Sequence, residues 1–169
     1  MGVVAVGRRV RPATPDDDRA VGAFLAERGA DVVARLGRLE DAATASKLIA
    51  EDDGTRVGVL SYLIDGDDCE VLTLHAAQPL RGIGTALLEA VETAALASGC
   101  RRLWLITTND NTDGLRFYQR RGFRIVRVDA GAVDRSRASL KPSIPPAGDH
   151  GIPIRDEILL EKTVTGEGG

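Results

Sequence analysis

One stretch of the sequence decides the fold: Leu80-Arg81-Gly82-Ile83-Gly84-Thr85-Ala86-Leu87-Leu88. It follows an apolar run at residues 69–76 that is typical of a strand, and it opens a helical pattern that continues to about Ser98. Glycine lets the main chain approach a ligand closely, and the free N–H groups of a first helical turn attract negative charge. A strand, a Gly-Ile-Gly turn and a helix therefore predict a site for a pyrophosphate-bearing cofactor.

Composition places the chain among single-domain globular proteins. It has 169 residues, 43% of them hydrophobic and 28% charged, with a formal net charge of -3. We expect one domain over residues 1–162 and a disordered tail over 163–169. The charge gives no reason to expect nucleic-acid binding, and no apolar run approaches the roughly 20 residues of a membrane-spanning helix. Two cysteines and the absence of a secretory pattern lead us to expect a cytoplasmic protein without a membrane partner.

Apolar periodicity on both sides of the turn indicates an α/β fold. Three strand-like runs joined by short acidic turns predict an antiparallel meander at 46–50, 56–64 and 69–76. A helix between the strands 69–76 and 102–107 predicts a parallel pair. The remaining patterns predict a strand at 8–11, a helix from Thr14 to Gly29, short helices at 113–121 and 132–140, and strands at 123–128 and 154–162. Residues 31–43 fit either a second short helix or a loop over the active site, and residues 141–153 fit a loop.

Two common phosphate loops do not fit the turn. A Walker-type loop needs a lysine after its last glycine, and none is present. The dinucleotide fingerprint needs a third glycine where Leu87 stands, and an acidic residue further on where the chain reads Trp104 to Thr107. A lone Gly-x-Gly turn is also compatible with nothing more than tight packing of a helix on a strand.

A second motif narrows the choice: Asn111-Thr112-Asp113-Gly114-Leu115-Arg116-Phe117-Tyr118-Gln119-Arg120-Arg121-Gly122-Phe123. Together, the two motifs resemble the GNAT superfamily of acetyl-CoA-dependent N-acetyltransferases, in an uncharacterised bacterial subgroup. The family positions are matched here by Gly82, Gly84, Asn111, Tyr118 and the Gly-Phe pair that ends the motif. The resemblance implies a mixed, curved sheet of about six or seven strands flanked by about four helices. It also implies acetyl-CoA as co-substrate and no metal.

One position departs from the family pattern. The Arg or Gln expected three residues before Gly82 is Pro79, and Gln78 and Arg81 flank it. The phosphate-binding amides would still come from Gly82 to Thr85. Which of the two flanking side chains assists them is left open by the sequence.

The resemblance also assigns residues to the donor. Splayed strands would hold the pantetheine arm along the main chain of residues 74–76, and a bulge there would decide which N–H serves as oxyanion donor. Asn111 would bond the pantetheine or cap the helix that follows it. The expected cofactor-binding residues are Leu74, His75, Ala76, Arg81, Gly82, Ile83, Gly84, Thr85, Asn111 and Tyr118.

Acetyl transfer to an amine also needs an acid and a base. A phenol with a pKa of about 10 can protonate the departing thiolate, which makes Tyr118 the expected general acid, although an aromatic on a short helix is more often part of the core. Glu70 and His75 are alternative general bases. Asp156 and Glu157 begin the predicted last strand, and alternation would point one of them towards a cationic substrate.

Three functions are compatible with a phosphate-binding turn in this fold. They are transfer of an acetyl group to a primary amine by direct attack, non-catalytic binding of acyl-CoA as a sensor module, and dinucleotide-dependent oxidation or reduction. The family match favours the first, and Leu87 disfavours the third. The acceptor amine, which could be a small molecule or a peptide, is expected to contact residues 31–43 and 134–153. Exposed edge strands make a homodimer a reasonable expectation.

Overall fold

A computed structural model describes residues 7–78 and 82–166. Its centre is a mixed seven-stranded sheet in the order β1-β4-β5-β6-β7-β9-β8, with a separate two-stranded sheet made by β2 and β3. The strands are β1 Arg9–Pro12, β2 Val32–Arg35, β3 Arg38–Asp41, β4 Ser46–Asp52, β5 Thr55–Asp65, β6 Asp68–Ala76, β7 Arg102–Thr108, β8 Arg124–Asp129 and β9 Glu157–Thr163. The α-helices are α1 Asp18–Ala26, α2 Ile83–Ala97, α3 Thr112–Arg120 and α4 Ala132–Ser139. The predicted α/β fold is confirmed.

The predicted meander and the parallel pair are also confirmed. Strands β4, β5 and β6 pair antiparallel in sequence order. Strand β6 then pairs parallel with β7, and α2 forms the connection between them. Because only residues 77–82 separate the end of β6 from the start of α2, the helix begins near the edge where β6 ends.

Buried apolar side chains form two clusters, one on each face of the sheet. Neighbouring residues of β4 alternate between them, as the period of a strand requires: Leu48 belongs to the cluster under α2, and Ile49 to the cluster under α1. Gly58 of β5 lets α2 pack closely, because a Cβ there would lie 2.7 Å from Cγ2 of Ile83. The first turn of α2 is therefore fixed against the sheet by its own side chains.

A bulge and a splay interrupt the sheet beside this turn. Ser61 pairs with Thr73, but the next residue of β5 pairs with Val71, so Leu72 is an extra residue in β6. Pairing between β6 and β7 ends at Val71 and Leu105, although β6 continues to Ala76. Within the described residues, the remaining main-chain groups on the facing edges of β6 and β7 have no strand between them. The bulge was predicted within residues 74–76 and lies instead at Leu72, just before that segment, and a cleft opens where the strands separate.

The prediction for residues 31–43 is wrong. The segment is neither a helix nor a loop but a β-hairpin, formed by β2 and β3. Its two-residue turn is Leu36-Gly37, and both residues have positive φ, 52° and 72°. Glycine adopts this conformation readily and leucine does not. The turn therefore lacks the Asn-Gly or Asp-Gly pair by which such a turn is usually recognised in a sequence.

The last strand begins and ends later than predicted. The Asn109 side chain accepts hydrogen bonds from the main-chain N–H groups of Arg155 and Asp156, which removes these residues from strand pairing. At the other end Thr163 still belongs to β9, and Val164 is buried in the core and bonded through its N–H to Arg101. The predicted tail therefore starts too early. Residues 167–169 lie outside the described residues.

Candidate active site

The splay between β6 and β7 forms the floor of a cavity of about 330 Å³. One wall is the segment from Arg28 to Ala34, which includes most of β2. The cavity is also lined by α4 and the loop that follows it, including Ser136, Lys141 and Ile144. Main-chain groups without a strand partner on a cavity floor suit an extended ligand, which would bond to them as another strand would.

The Gly-Ile-Gly turn lies beside this cleft. Gly82 stands just before α2 with φ of 73°, a conformation that favours glycine, and the first turn of α2 follows. A Cβ on Gly84 would lie 3.0 Å from the Phe117 ring and 3.6 Å from Cδ2 of Leu74, which lines the cleft. The turn thus serves close packing and also presents helix N–H groups towards the end of β6. Arg81 and Pro79 lie outside the described residues.

Two arginines near this turn, Arg8 and Arg121, are not among the cofactor-binding residues that the sequence predicts. Arg121 donates from Nε to the Thr85 hydroxyl at 2.9 Å, and its guanidinium stacks 3.8 Å above the Phe117 ring. Arg8 also lies near this turn, since its Nη1 is 3.5 Å from where a Cβ of Gly82 would stand, and its Nη2 pairs with Asp52 at 3.4 Å. Positive charge next to helix N–H groups strengthens an anion site. Arg121 could have been found, because it directly precedes the Gly-Phe pair of the second motif.

Asn111 joins the cleft to α3. It caps this helix: Oδ1 accepts from the Gly114 N–H at 3.0 Å, and Nδ2 donates to the Thr107 hydroxyl at 2.8 Å. Position 114 must be glycine for this arrangement, because a Cβ there would lie 2.2 Å from Nδ2 of Asn111. Asn111 also lines the cavity, so the capping role is observed and a ligand contact is compatible with it.

Tyr118 lines the same cavity from α3 and is buried. Its ring packs edge-on against Phe117 and Phe123, with ring centres 5.2 and 5.6 Å away. Burial raises the pKa of Tyr118 to about 12, because the phenolate is the form that loses solvation. The phenol is therefore protonated at neutral pH and able to donate a proton into the cleft.

His75 and Glu157 are the other predicted residues that line the cleft. Burial lowers the pKa of His75, and the nearby Arg28 lowers it further. Burial raises the pKa of the Glu157 carboxyl, and the Leu36 N–H, which donates to it at 3.3 Å, opposes that change. The environment of His75 therefore favours its neutral imidazole, the form that accepts a proton.

Glu70 and Asp156 are not among the residues that line the cleft. Both Glu70 carboxylate oxygens bind the buried Arg35 guanidinium, at 2.8 and 2.7 Å, and so tie β2 to β6. The Asp156 carboxylate accepts from the Gly131 N–H at 2.8 Å, just before α4 begins. Ala76 ends β6 and packs towards the core under α2. The expected alternation at the last strand thus directs Glu157, and not Asp156, into the cleft.

Within the described residues, neither the two cysteines nor the potential metal ligands form a second site. Cys69 is buried, and its burial raises the thiol pKa to about 12, which suppresses the reactive thiolate. Among the described residues, no group of three or more His, Cys, Asp or Glu side chains could hold a metal ion. No helix in the described ranges is both long and apolar enough to span a membrane.

Comparison with known proteins agrees with this geometry. The model of the acetyltransferase (GNAT) family matches residues 14–123, about two thirds of the chain. The uncharacterised protein YdhI of Bacillus subtilis is 46% identical over 113 residues, which are 67% of this chain and 70% of that protein.

Two solved structures share the fold. The IAA acetyltransferase from Bacillus cereus has a TM-score of 0.65 and 21% identity, covering 93% of this chain and 99% of that one. A GNAT acetyltransferase from Elizabethkingia anophelis, solved with acetyl-CoA bound, has the same TM-score and identity, covering 93% and 98%. The predicted resemblance to an uncharacterised bacterial subgroup is confirmed, and the family match spans both motifs on which it rested: this chain belongs to the acetyltransferase (GNAT) family.

Proposed function

We propose that the protein transfers an acetyl group from acetyl-CoA to a primary amine by direct attack. The observation that carries this proposal is the splay between β6 and β7, which opens beside the first turn of α2 and is lined by Tyr118 and Asn111. The donor and the attacking amine would meet inside one cleft, without a covalent enzyme intermediate. The high pKa of buried Cys69 also supports direct attack.

The donor is held by main-chain groups in this proposal. The pyrophosphate binds the N–H groups of residues 82–85, with Arg81 as a further predicted contact, and Arg121 beside Thr85 adds positive charge. The pantetheine lies along residues 74–76, where β6 has lost β7 as a neighbour. One N–H of this segment stabilises the oxyanion as the thioester carbonyl becomes tetrahedral.

Tyr118 acts as general acid. The amine nitrogen bonds to the carbonyl carbon, the carbon–sulfur bond breaks, and the phenol proton goes to the sulfur. The pKa of the phenol, about 12, is high, but burial in the same cleft also raises the pKa of the coenzyme thiol and keeps the two within reach of each other. The Tyr118 ring is held by Phe117 and Phe123, so its position does not depend on the ligand.

His75 takes the proton from the amine, and Glu157 binds the ammonium form before attack. The lowered pKa of His75 keeps its imidazole neutral at physiological pH, as a base requires. Glu70, the alternative base considered from the sequence, is instead neutralised by Arg35. Asp156 is assigned to the start of α4 and not to the substrate.

The test is calorimetry with acetyl-CoA followed by a thiol-release assay with a panel of amines. We expect saturable acetyl-CoA binding, turnover of at least one primary amine, and a loss of 10²-fold or more in kcat for Tyr118→Phe. Absence of acetyl-CoA binding refutes the proposal. Binding without turnover of any amine would favour a non-catalytic acyl-CoA sensor, and full turnover by the Tyr118→Phe variant would remove the acid role of Tyr118.

We also propose a homodimer that pairs β8 with its own copy. This edge strand exposes Ile125, Val126 and Val128. An antiparallel copy would place Arg124 opposite Asp129 and Ile125 opposite Val128, so charge and apolar contacts complement each other. Light scattering of wild type and Val128→Asp tests this: a monomeric wild type refutes it, and a dimer that the variant dissociates supports it.

We also propose that the protein is cytoplasmic, and its two cysteines support this location. Cys69 and Cys100 are both free and buried. Unpaired thiols suit a reducing compartment, where disulfides do not persist. Fractionation of the native host with an antibody to this chain would test the assignment, and recovery outside the cytoplasm would refute it.

A further inference from the structure

The charge in the cleft is unevenly distributed. Besides Tyr118, four titratable side chains line it in the described part of the chain: Arg28, His75, Lys141 and Glu157. Two of these are cations at neutral pH, and one is a carboxylic acid. A purely cationic acceptor would therefore meet more positive than negative charge in this cleft.

The two cations lie at one end of β2. The Lys141 ammonium donates to the main-chain oxygens of Gly29 and Val32, at 2.9 and 2.6 Å. Arg28 directly precedes Gly29, and its guanidinium is held 3.6 Å above the Phe24 ring, with Nη1 bonded to the Phe24 oxygen. These contacts fix both positive charges at the same end of the cleft.

The acid lies at the other end of the same strand. The Glu157 carboxylate accepts from the N–H of Leu36, the residue that follows β2. The Leu36 nitrogen and the Val32 oxygen are separated by three residues of extended chain, which is about 10 Å. Strand β2 thus runs between the acidic end and the basic end of the cleft.

Resting on the proposed function, we propose that the acceptor is an amino carboxylate. Its ammonium binds Glu157, and its carboxylate binds the end marked by Arg28 and Lys141. The Lys141 ammonium lies 2.6 Å from the Val32 oxygen and the Glu157 carboxylate 3.3 Å from the Leu36 nitrogen, so the opposite charges stand near the two ends of this segment of about 10 Å. A compact acceptor that carries both an ammonium and a carboxylate can form charge-assisted hydrogen bonds at both ends, whereas a polyamine has no group for the basic end.

The experiment compares each proteinogenic amino acid with its own carboxamide in the thiol-release assay with acetyl-CoA, with spermidine as a cationic reference. We expect kcat/KM for the preferred acid to exceed that of its amide by roughly tenfold or more, because one charge-assisted bond is lost in the amide. Arg28→Gln should bring this ratio towards one, and Arg28→Lys should retain most of it. Arg19→Gln, an exposed substitution on α1, is the matched control and should leave the ratio unchanged.

Each outcome has a distinct meaning. Turnover of spermidine or of amides at rates equal to the acids overturns the inference and leaves the proposed acetyltransferase intact. Acetyl-CoA binding without turnover of any acceptor refutes the proposed function and the inference with it. A preference for acids that survives in a folded Arg28→Gln variant, with its melting temperature checked by circular dichroism, also overturns the inference.

Discussion

Replacing Glu70 by glutamine distinguishes a structural anchor from a catalytic base. Nε and Nη2 of Arg35 bind the two Glu70 oxygens, and the side chains of Arg35 and Glu70 are only 4% and 6% exposed. In the described part of the chain, the other carboxylate at this guanidinium is Glu40, at 3.3 Å and 28% exposed. Glutamine keeps the shape of glutamate and removes its charge, so the variant leaves the Arg35 charge buried with one weak partner.

The expected cost follows from that burial. Removing one member of a buried ion pair destabilises a protein by about 3–5 kcal/mol. For a domain of this size each kcal/mol lowers Tm by about 2–4 °C, so we expect a fall of about 10 °C. Glu161→Gln is the matched control, because its bond to Arg102 is 2.6 Å long but the two side chains are 39% and 35% exposed. An exposed pair contributes about 1 kcal/mol or less, so this control should melt close to wild type.

The assay combines thermal and urea unfolding with kcat measured well below both melting temperatures. We expect the Glu70→Gln variant to lose stability and to retain most of its kcat where it is folded. A variant with wild-type Tm and a kcat reduced by 10²-fold or more would show that Glu70 is the base after all, and would refute the anchoring role.

Two further predictions concern the cleft, and a third concerns the buried Cys69. Gly114→Ala should weaken acetyl-CoA binding with little change in Tm, because alanine favours the helix by about 1 kcal/mol while displacing the Asn111 cap costs a similar amount. Calorimetry measures the affinity and a melting curve the Tm, and an unchanged affinity would contradict the prediction. In a pH profile of kcat/KM, the acidic limb should lie below pH 6.5, because burial and Arg28 lower the pKa of His75 and its neutral form persists to lower pH. The limb should disappear in the His75→Gln variant, and its survival there would exclude His75 as the base. Cys69 should resist alkylation in the native protein at neutral pH, because its thiol pKa is about 12, and rapid labelling located by mass spectrometry would argue against the packing described.

The donor side of the cleft could be predicted because its residues are close in sequence. The turn at Gly82 and the motif from Asn111 each form one local unit, and local units leave local patterns. Of the residues proposed to bind the acceptor, the sequence predicted Glu157 and the segment 134–153 that contains Lys141, but not Arg28. These residues come from three distant segments, and only the fold brings them together. No pattern within a single element announces such a set.

The places where the structure departs from what the sequence suggested have the same cause. Position 70 on a strand before the site suggested a base, but the strand pattern cannot reveal that Arg35 lies against it. The hairpin was missed because its turn places Leu36 at positive φ, which the position in the fold stabilises and the residue type does not favour. In both cases a tertiary contact overrode what the local sequence indicated.

The order of strands has a consequence for how the protein is made. Strand β9 lies between β7 and β8, although both precede it in the chain. Arg102 pairs with Thr163, so β7 and β8 lack their shared neighbour until the ribosome has released the last strand. Such pairings of distant segments also form slowly. Glu157 stands at the start of that strand. In the proposed function, a nascent chain that ends at Asp129 therefore has both donor motifs but lacks the carboxylate that binds the acceptor, which is added only when nearly all of the described chain has been synthesised.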